Sequence, residues 1–120
     1  MKRDTELIRK ILIALEDHEE PLFGGHLEIE GYSTEEINFH LMLLDEAGLI
    51  EAIDASTFSG PSYIPQRLTW DGFEFLEAVK NETVWKETKK RMSQLGGFVF
   101  ELAKPLAIEI AKQYLLPGQN

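Results

Sequence analysis

The chain has no cysteine. Disulfides, thiol catalysis and thiolate metal sites are therefore excluded, and the composition suits a reducing compartment. It also lacks an uncharged apolar run of the roughly 18 residues that a membrane helix needs. Its most apolar segment, 98–116, is interrupted by Glu101, Lys104, Glu109 and Lys112. The N-terminus MKRDTELIRK is charged and carries no apolar core with a small-residue cleavage site, so no secretory signal is expected. The expected location is the cytoplasm, away from membranes.

One charge sign is missing from half the chain. Between Lys10 and Arg67 there is no Lys or Arg, yet this span holds 12 of the 21 acids: Glu16, Asp17, Glu19, Glu20, Glu28, Glu30, Glu35, Glu36, Asp45, Glu46, Glu51 and Asp54. The other acids share the two ends with all 12 bases, for a net charge of -9. Such a span projects a negative field that repels phosphate and attracts basic surfaces, unless it serves solubility alone.

Catalytic patterns are absent as well. There is no phosphate-cradling glycine loop with a lysine, no His-x-x-x-His pair and no glycine-flanked nucleophilic serine. His18, His26 and His40 are spaced too loosely to define a centre. Neither enzyme activity nor a cofactor is expected.

What remains is an ordinary globular composition, 43% hydrophobic and 28% charged over 120 residues, enough for a single core. Asp4 or Thr5 can cap a first helix, in which Leu7, Ile8, Ile11, Leu12 and Leu15 form a buried stripe. Arg3, Arg9 and Lys10 fall off that stripe and are expected in solvent. Pro21 closes the segment. After Gly24-Gly25, the strict alternation His26-Leu27-Glu28-Ile29-Glu30 reads as a short half-buried strand. Its outer face aligns three groups able to bind a metal, His26, Glu28 and Glu30, although solvated strands carry the same residues.

Ser33 and Glu36 form a capping box for the next helix, with Tyr32 placed to staple onto Ile37. Ile37, Leu41 and Leu44 mark one buried row, Phe39 and Leu43 a second, and His40 lies at the edge as a structural histidine. Glu35, Asn38, Met42, Asp45 and Glu46 are left as the exposed face, the candidate protein-interaction set. Gly48 suits a left-handed helix end. Leu49–Ile53 and Tyr63–Leu68 then read as two strands around a loop of about ten residues rich in turn chemistry, with Pro65 arguing for an edge.

Thr69 caps a helix whose inner stripe is Phe73, Leu76 and Val79, flanked by Trp70 and Phe75. Gly72 within it implies close packing against a neighbour. Beyond Asn81–Glu82, Val84, Trp85, Thr88, Met92 and Leu95 share a face, with Lys86, Lys89 and Lys90 on another. In the last segment Val99, Leu102, Ala103, Leu106 and Ile110 make an apolar arc wide enough for dimerisation. Pro105 predicts a kink or a fresh helix start near Lys104.

These elements predict a mostly helical α+β fold. Residues 1–80 read as a winged-helix-like domain: helix, short strand, helix, two-stranded wing, helix. Residues 81–120 read as a C-terminal helical extension that packs on it or dimerises. In DNA-binding members of that class the helix before the wing enters the major groove and bases neutralise phosphates. Here that helix offers acids, so nucleic acid is disfavoured. Its peripheral candidates are Arg3, Arg9, Lys10, Arg67, Lys86, Lys89 and Lys90.

The runs MKRDTELIRKIL, IEGYS, HLMLLDEAGLIEA and RLTWDGFEFLEAVKNETVWKETK resemble the bacterial and phage family called domain of unknown function 2513. The resemblance implies a small winged-helix-like protein associated with mobile elements, with no assigned activity, cofactor or site residues. The family pattern carries a histidine where this chain has Phe73, so no role for that histidine carries over. The expected function is a non-catalytic interaction or regulatory module whose acidic face meets a basic protein partner or a second copy. The alternative is a DNA-binding regulator that uses the wing and the peripheral bases.

Overall fold

The structure, a computed structural model, describes residues 1–115. It is α+β and mostly helical, in the order α1 (Thr5–Asp17), α2 (Thr34–Glu46), β1 (Ile50–Asp54), β2 (Tyr63–Leu68), α3 (Trp70–Val79), α4 (Glu82–Gln94) and α5 (Phe100–Leu115). The two strands form one antiparallel sheet. The chain divides into two compact units, Met1–Phe73 and Glu74–Asn120, with the division falling inside α3.

In the first unit, α1 begins where Asp4 Oδ1 accepts the Glu6 and Leu7 amides, at 2.9 and 3.2 Å. Its stripe Leu7, Ile8, Ile11, Leu12 and Leu15 is buried as the spacing predicts. Each such side chain contributes about 1.5–3 kcal/mol when removed from water. Helices α1 and α2 pack on each other and on the hairpin, and Ile37, Leu41 and Leu44 of α2 are buried with Leu49, Ile50 and Leu68. The Ser33–Glu36 capping box closes in both directions, 3.1 and 3.0 Å. At the far end of α2, Gly48 takes φ +74, which L side chains avoid, and turns the chain directly into β1.

Pairing runs from Ile50↔Leu68 to Asp54↔Tyr63, with a bulge after Glu51 that leaves Gln66 unpaired. Pro65 sits beside this bulge, where a residue without an N–H costs the ladder least. The edge of β2 away from β1 is partly occupied: the Phe23 amide donates to Gln66 O and Gly24 to Pro65 O, at 2.7 and 3.1 Å.

Several expectations are corrected here. His26–Glu30 is not a strand. Its side chains alternate as predicted, with Leu27 and Ile29 half-buried and His26, Glu28 and Glu30 exposed, but no neighbouring backbone pairs with it. Arg9, expected in solvent, is only 8% exposed. Phe39 and Leu43 are half-buried rather than a second core row. Phe73 is 43% exposed, and α3 instead buries Gly72, Phe75, Leu76 and Val79. Gly72 sets that rotation, since a Cβ there would lie 2.0 Å from the Leu49 carbonyl oxygen. The close approach read from this glycine is present.

The second unit is built on aromatic packing. Phe75 lies 5.1 Å from Phe100 and 6.5 Å from Phe98, and Trp85 lies 6.0 Å from Phe98, all tilted or edge-to-face. Helix α4 starts at Asn81, whose side chain accepts the Thr83 and Val84 amides. It packs Val84, Trp85, Thr88 and Met92 inward, against α5. Leu95, expected on the same face, is 69% exposed because the helix has ended and it serves as the C-cap. Helix α5 is one element through Pro105, so the predicted fresh start does not occur. The small side chains Ala103 and Ala107 with Ile110 form its buried row, while Val99 and Leu102 of the expected arc are exposed.

Candidate functional site

The surface expected to carry function is the outer side of α2 together with the hairpin that follows it. The helix presents its five candidate residues in two different ways. Asn38 and Asp45 are seven residues apart, two helical turns, and so share one flank. The hairpin lies against that flank. Asn38 Oδ1 accepts the Tyr63 amide at 2.8 Å, while its Nδ2 donates to Thr34 O at 3.1 Å. Asp45 Oδ1 accepts the Ala52 amide at 3.1 Å. Both polar ends are spent fastening the helix to the start of β2 and the middle of β1. Both act as fasteners within the first unit.

Glu35, Met42 and Glu46 remain on the outward line, at i, i+7 and i+11, with Phe39 between them. Glu35 and Glu46 are exposed, while Phe39 and Met42 are half-buried. The surface is therefore a short apolar centre bracketed by two carboxylates. Sequence reading assigned Phe39 to the core and missed this centre.

His40, expected at the edge of the buried row, is only 1% exposed. Its Nε2 accepts the Asp4 amide at 2.7 Å, and its Nδ1 lies 2.7 Å from Glu36 O, so the neutral Nδ1–H form satisfies both partners. The ring pins the start of α1 to α2.

The hairpin loop is ordered by its own polar groups. Thr57 and Gly60 exchange backbone hydrogen bonds of 3.2 and 3.0 Å. Asp54 Oδ1 accepts the Ser56 amide at 2.9 Å, Ser56 Oγ accepts that of Ser62 at 3.1 Å, and Ala55 donates to Ser62 O at 2.8 Å. Hydrogen bonds from Ser56 hold the Asp54 carboxyl below the usual carboxylate range. Partial burial and the facing Asp54 raise the Tyr63 phenol above its ordinary value. At the apex stands Phe58, fully exposed. The loop was read for its turn residues, and this aromatic went unremarked although it is the apolar residue flanked by Thr57 and Ser59 at the centre of the loop.

Of the bases proposed for nucleic acid, Arg3, Arg9, Lys10 and Arg67 belong to the first unit and Lys86, Lys89 and Lys90 to the second. Arg9 is buried. Arg67 forks onto Glu51 across the sheet, Nη2 to Oε1 at 2.7 Å and Nε to Oε2 at 3.2 Å, and its Nη1 donates to Leu68 O. Lys10 holds its ammonium 5.4 Å from the Tyr32 ring centre. Arg3 is exposed near the N-terminus. In the second unit, Lys86 and Lys90 are exposed one turn apart on α4, and Lys89 lies 5.2 Å over the Trp85 ring.

An open cavity of about 500 Å³ lies between the 27–31 segment and the start of α2, lined by Leu27, Ile29, Tyr32 and Ile37 with Glu28 and Glu30 at its border. Burial first, then the carboxylates of Asp4 and Glu6, raise the Tyr32 phenol. Among the described residues no three His, Asp or Glu side chains gather as metal ligands, so His26, Glu28 and Glu30 form no such cluster. No helix of the described residues is long and apolar enough to cross a membrane.

Comparison with known proteins agrees with the resemblance read from the sequence. The family model described as hypothetical protein (DUF2513) matches residues 2–98. A Haemophilus influenzae protein named only "Uncharacterized protein" is 44% identical over 91 residues, covering 74% of this chain and 76% of that protein. No solved structure matches. The chain belongs to the DUF2513 family, and α5 lies beyond the matched residues.

Proposed function

We propose that this DUF2513 member is a non-catalytic, cytoplasmic interaction module, winged-helix-like in its first unit, that docks a basic protein surface onto the outer side of α2. The order α1, α2, hairpin, α3 supports the winged-helix reading, with the hairpin as the wing. One observation carries the choice of partner: the charge of the first unit. Met1–Phe73 contains 15 acids against five bases, a net of -10. Of those five, Arg9 is buried, Arg67 is held by Glu51 and Lys10 lies over Tyr32. A surface of this kind gains nothing from counterion release on a phosphate backbone, the term that dominates DNA affinity. It steers a cationic protein toward it.

The test is charge reversal at Glu35 and Glu46, the two carboxylates of this face that fasten nothing to the hairpin. Wild-type and Glu35→Lys/Glu46→Lys chains are used as paired baits, and the recovered partner is titrated against each. A basic protein that binds the wild type, weakens with added salt and loses about tenfold or more in affinity for the variant is the expected result. Equal binding to both baits defeats the proposal. So does retardation of duplex DNA at about 10 mM salt that fades as salt is raised, the signature of a phosphate-binding surface.

A further inference from the structure

The hairpin tip contains a residue that folding does not require. Thr57–Gly60 is a tight reversal in which neither Phe58 nor Ser59 has positive φ, and Gly60 absorbs the unusual angle at φ +129. Central positions of such turns favour Pro, Asp, Asn, Ser or Gly, each for a local backbone reason. Phe58 meets none of these reasons. It buries no surface within the fold, yet it stands on a loop held by the Thr57–Gly60 pair, the Asp54–Ser56 and Ser62–Ser56 bonds and the Ala55–Ser62 bond. The Ser59 amide also donates to Thr57 Oγ1 at 3.2 Å. A large apolar side chain on a pre-ordered support loses little entropy on binding, which is the arrangement of an interface anchor.

Charge selects the receiver. The acid nearest the tip is Asp54; farther down the hairpin Glu51 is paired with Arg67, and no Lys or Arg occurs anywhere from Ile11 to Gln66. A wedge entering stacked bases would need cations to hold the flanking phosphates, and a tip entering an anionic membrane would need them for the headgroups. A protein pocket with an apolar floor and a basic rim meets both the ring and its acidic support.

We infer that Phe58 is the anchor residue of the interface, inserted from the hairpin tip into an apolar, basic-rimmed pocket on the protein partner. This rests on the reading of the first unit as a protein-binding module. The test replaces Phe58 with a photo-crosslinking phenylalanine analogue in the full chain, produced in cells of its own source, with a second chain labelled at Met42 as the control. Label at 58 is expected to capture the protein that label at 42 also captures. Purified, that protein should bind Phe58→Ser about tenfold or more weakly than wild type and regain affinity with Phe58→Trp. The melting temperature of Phe58→Ser should match that of wild type, because the ring is fully exposed.

Capture at 42 without capture at 58, or an affinity unchanged in Phe58→Ser, overturns the anchor and leaves the acidic-face reading standing. Capture at neither position overturns both. Binding of the purified chain to phosphatidylcholine–phosphatidylglycerol vesicles or to duplex DNA that is lost in Phe58→Ser overturns the assignment to a protein pocket.

Discussion

The two units of this chain are held together by different means and carry different charge. Met1–Phe73 has a net formal charge of -10, while Glu74–Asn120, with seven bases against six acids, has +1. The acidic unit is stitched by side chains that accept or donate to distant backbone: His40 to Asp4, Asn38 to Tyr63, Asp45 to Ala52 and Thr69 to Gly48. The near-neutral unit relies on a ring cluster of Phe75, Trp85, Phe98 and Phe100. Self-repulsion in the first unit weakens a compact state. Directional hydrogen bonds offset this only while each buried partner stays matched. Polar residues in a highly charged unit are thus first candidates for fastening, and only afterwards for binding.

The sharpest way to break the comparison is to attack the ring cluster. Trp85→Ala should cost about 3–5 kcal/mol, the range for deleting a buried large aromatic, since Trp85 is only 1% exposed. Hydrogen exchange would reveal where that loss falls. Protection is expected to drop through α4 and α5 while α1 and α2 keep theirs. An equal drop in both units would mean that they unfold as one.

Gly72→Ala attacks the other unit where α3 lies close against the Leu49 backbone. The obstacle is the Leu49 backbone rather than a movable side chain, so about 1–3 kcal/mol of overpacking cost is expected in urea denaturation. Next come the fasteners. Asn38→Ala and Asp45→Ala should each cost about 1–3 kcal/mol by stranding the amides of Tyr63 and Ala52. Glu35→Lys/Glu46→Lys, which strands nothing, should stay within about 0.5 kcal/mol per site of wild type. If all four positions behave alike, the division of this face into fasteners and contact residues fails.

Much of the local structure could be read from residues alone, because it depends on neighbours in the chain. The Ser33–Glu36 box, the turn at Gly48 and the strand Tyr63–Leu68 are of this kind. What could not be read depends on which distant backbone arrives. Alternation at 26–30 correctly separates inward from outward side chains, but a ladder needs a neighbour, and the segment has none. Arg9 is off the apolar stripe by spacing, yet it is buried, since long side chains lie down along surfaces that a helical wheel treats as solvent. Asn38 and Asp45 look like an exposed face until the hairpin folds onto their flank. Pro105 signals a break by its chemistry, but one helix accommodates it.

The smallest expected effect bears on the hairpin tip. Asp54 titrates below the ordinary carboxylate range chiefly because the Ser56 hydroxyl and amide favour its charged form. A carboxyl whose folded pKa is depressed stabilises the fold above its unfolded value, and that contribution is lost as pH falls through the folded value. Ser56→Ala removes the hydroxyl and keeps the amide. The Asp54 midpoint, followed by carbon-13 NMR, should therefore rise toward the ordinary carboxylate value while remaining below it. The same hydroxyl accepts the Ser62 amide, so its removal also frees one strut of the loop that supports Phe58. An unchanged midpoint would show that Ser56 does not hold this loop in solution. The tip would then lose the pre-ordering that makes Phe58 an anchor, even with the ring itself intact.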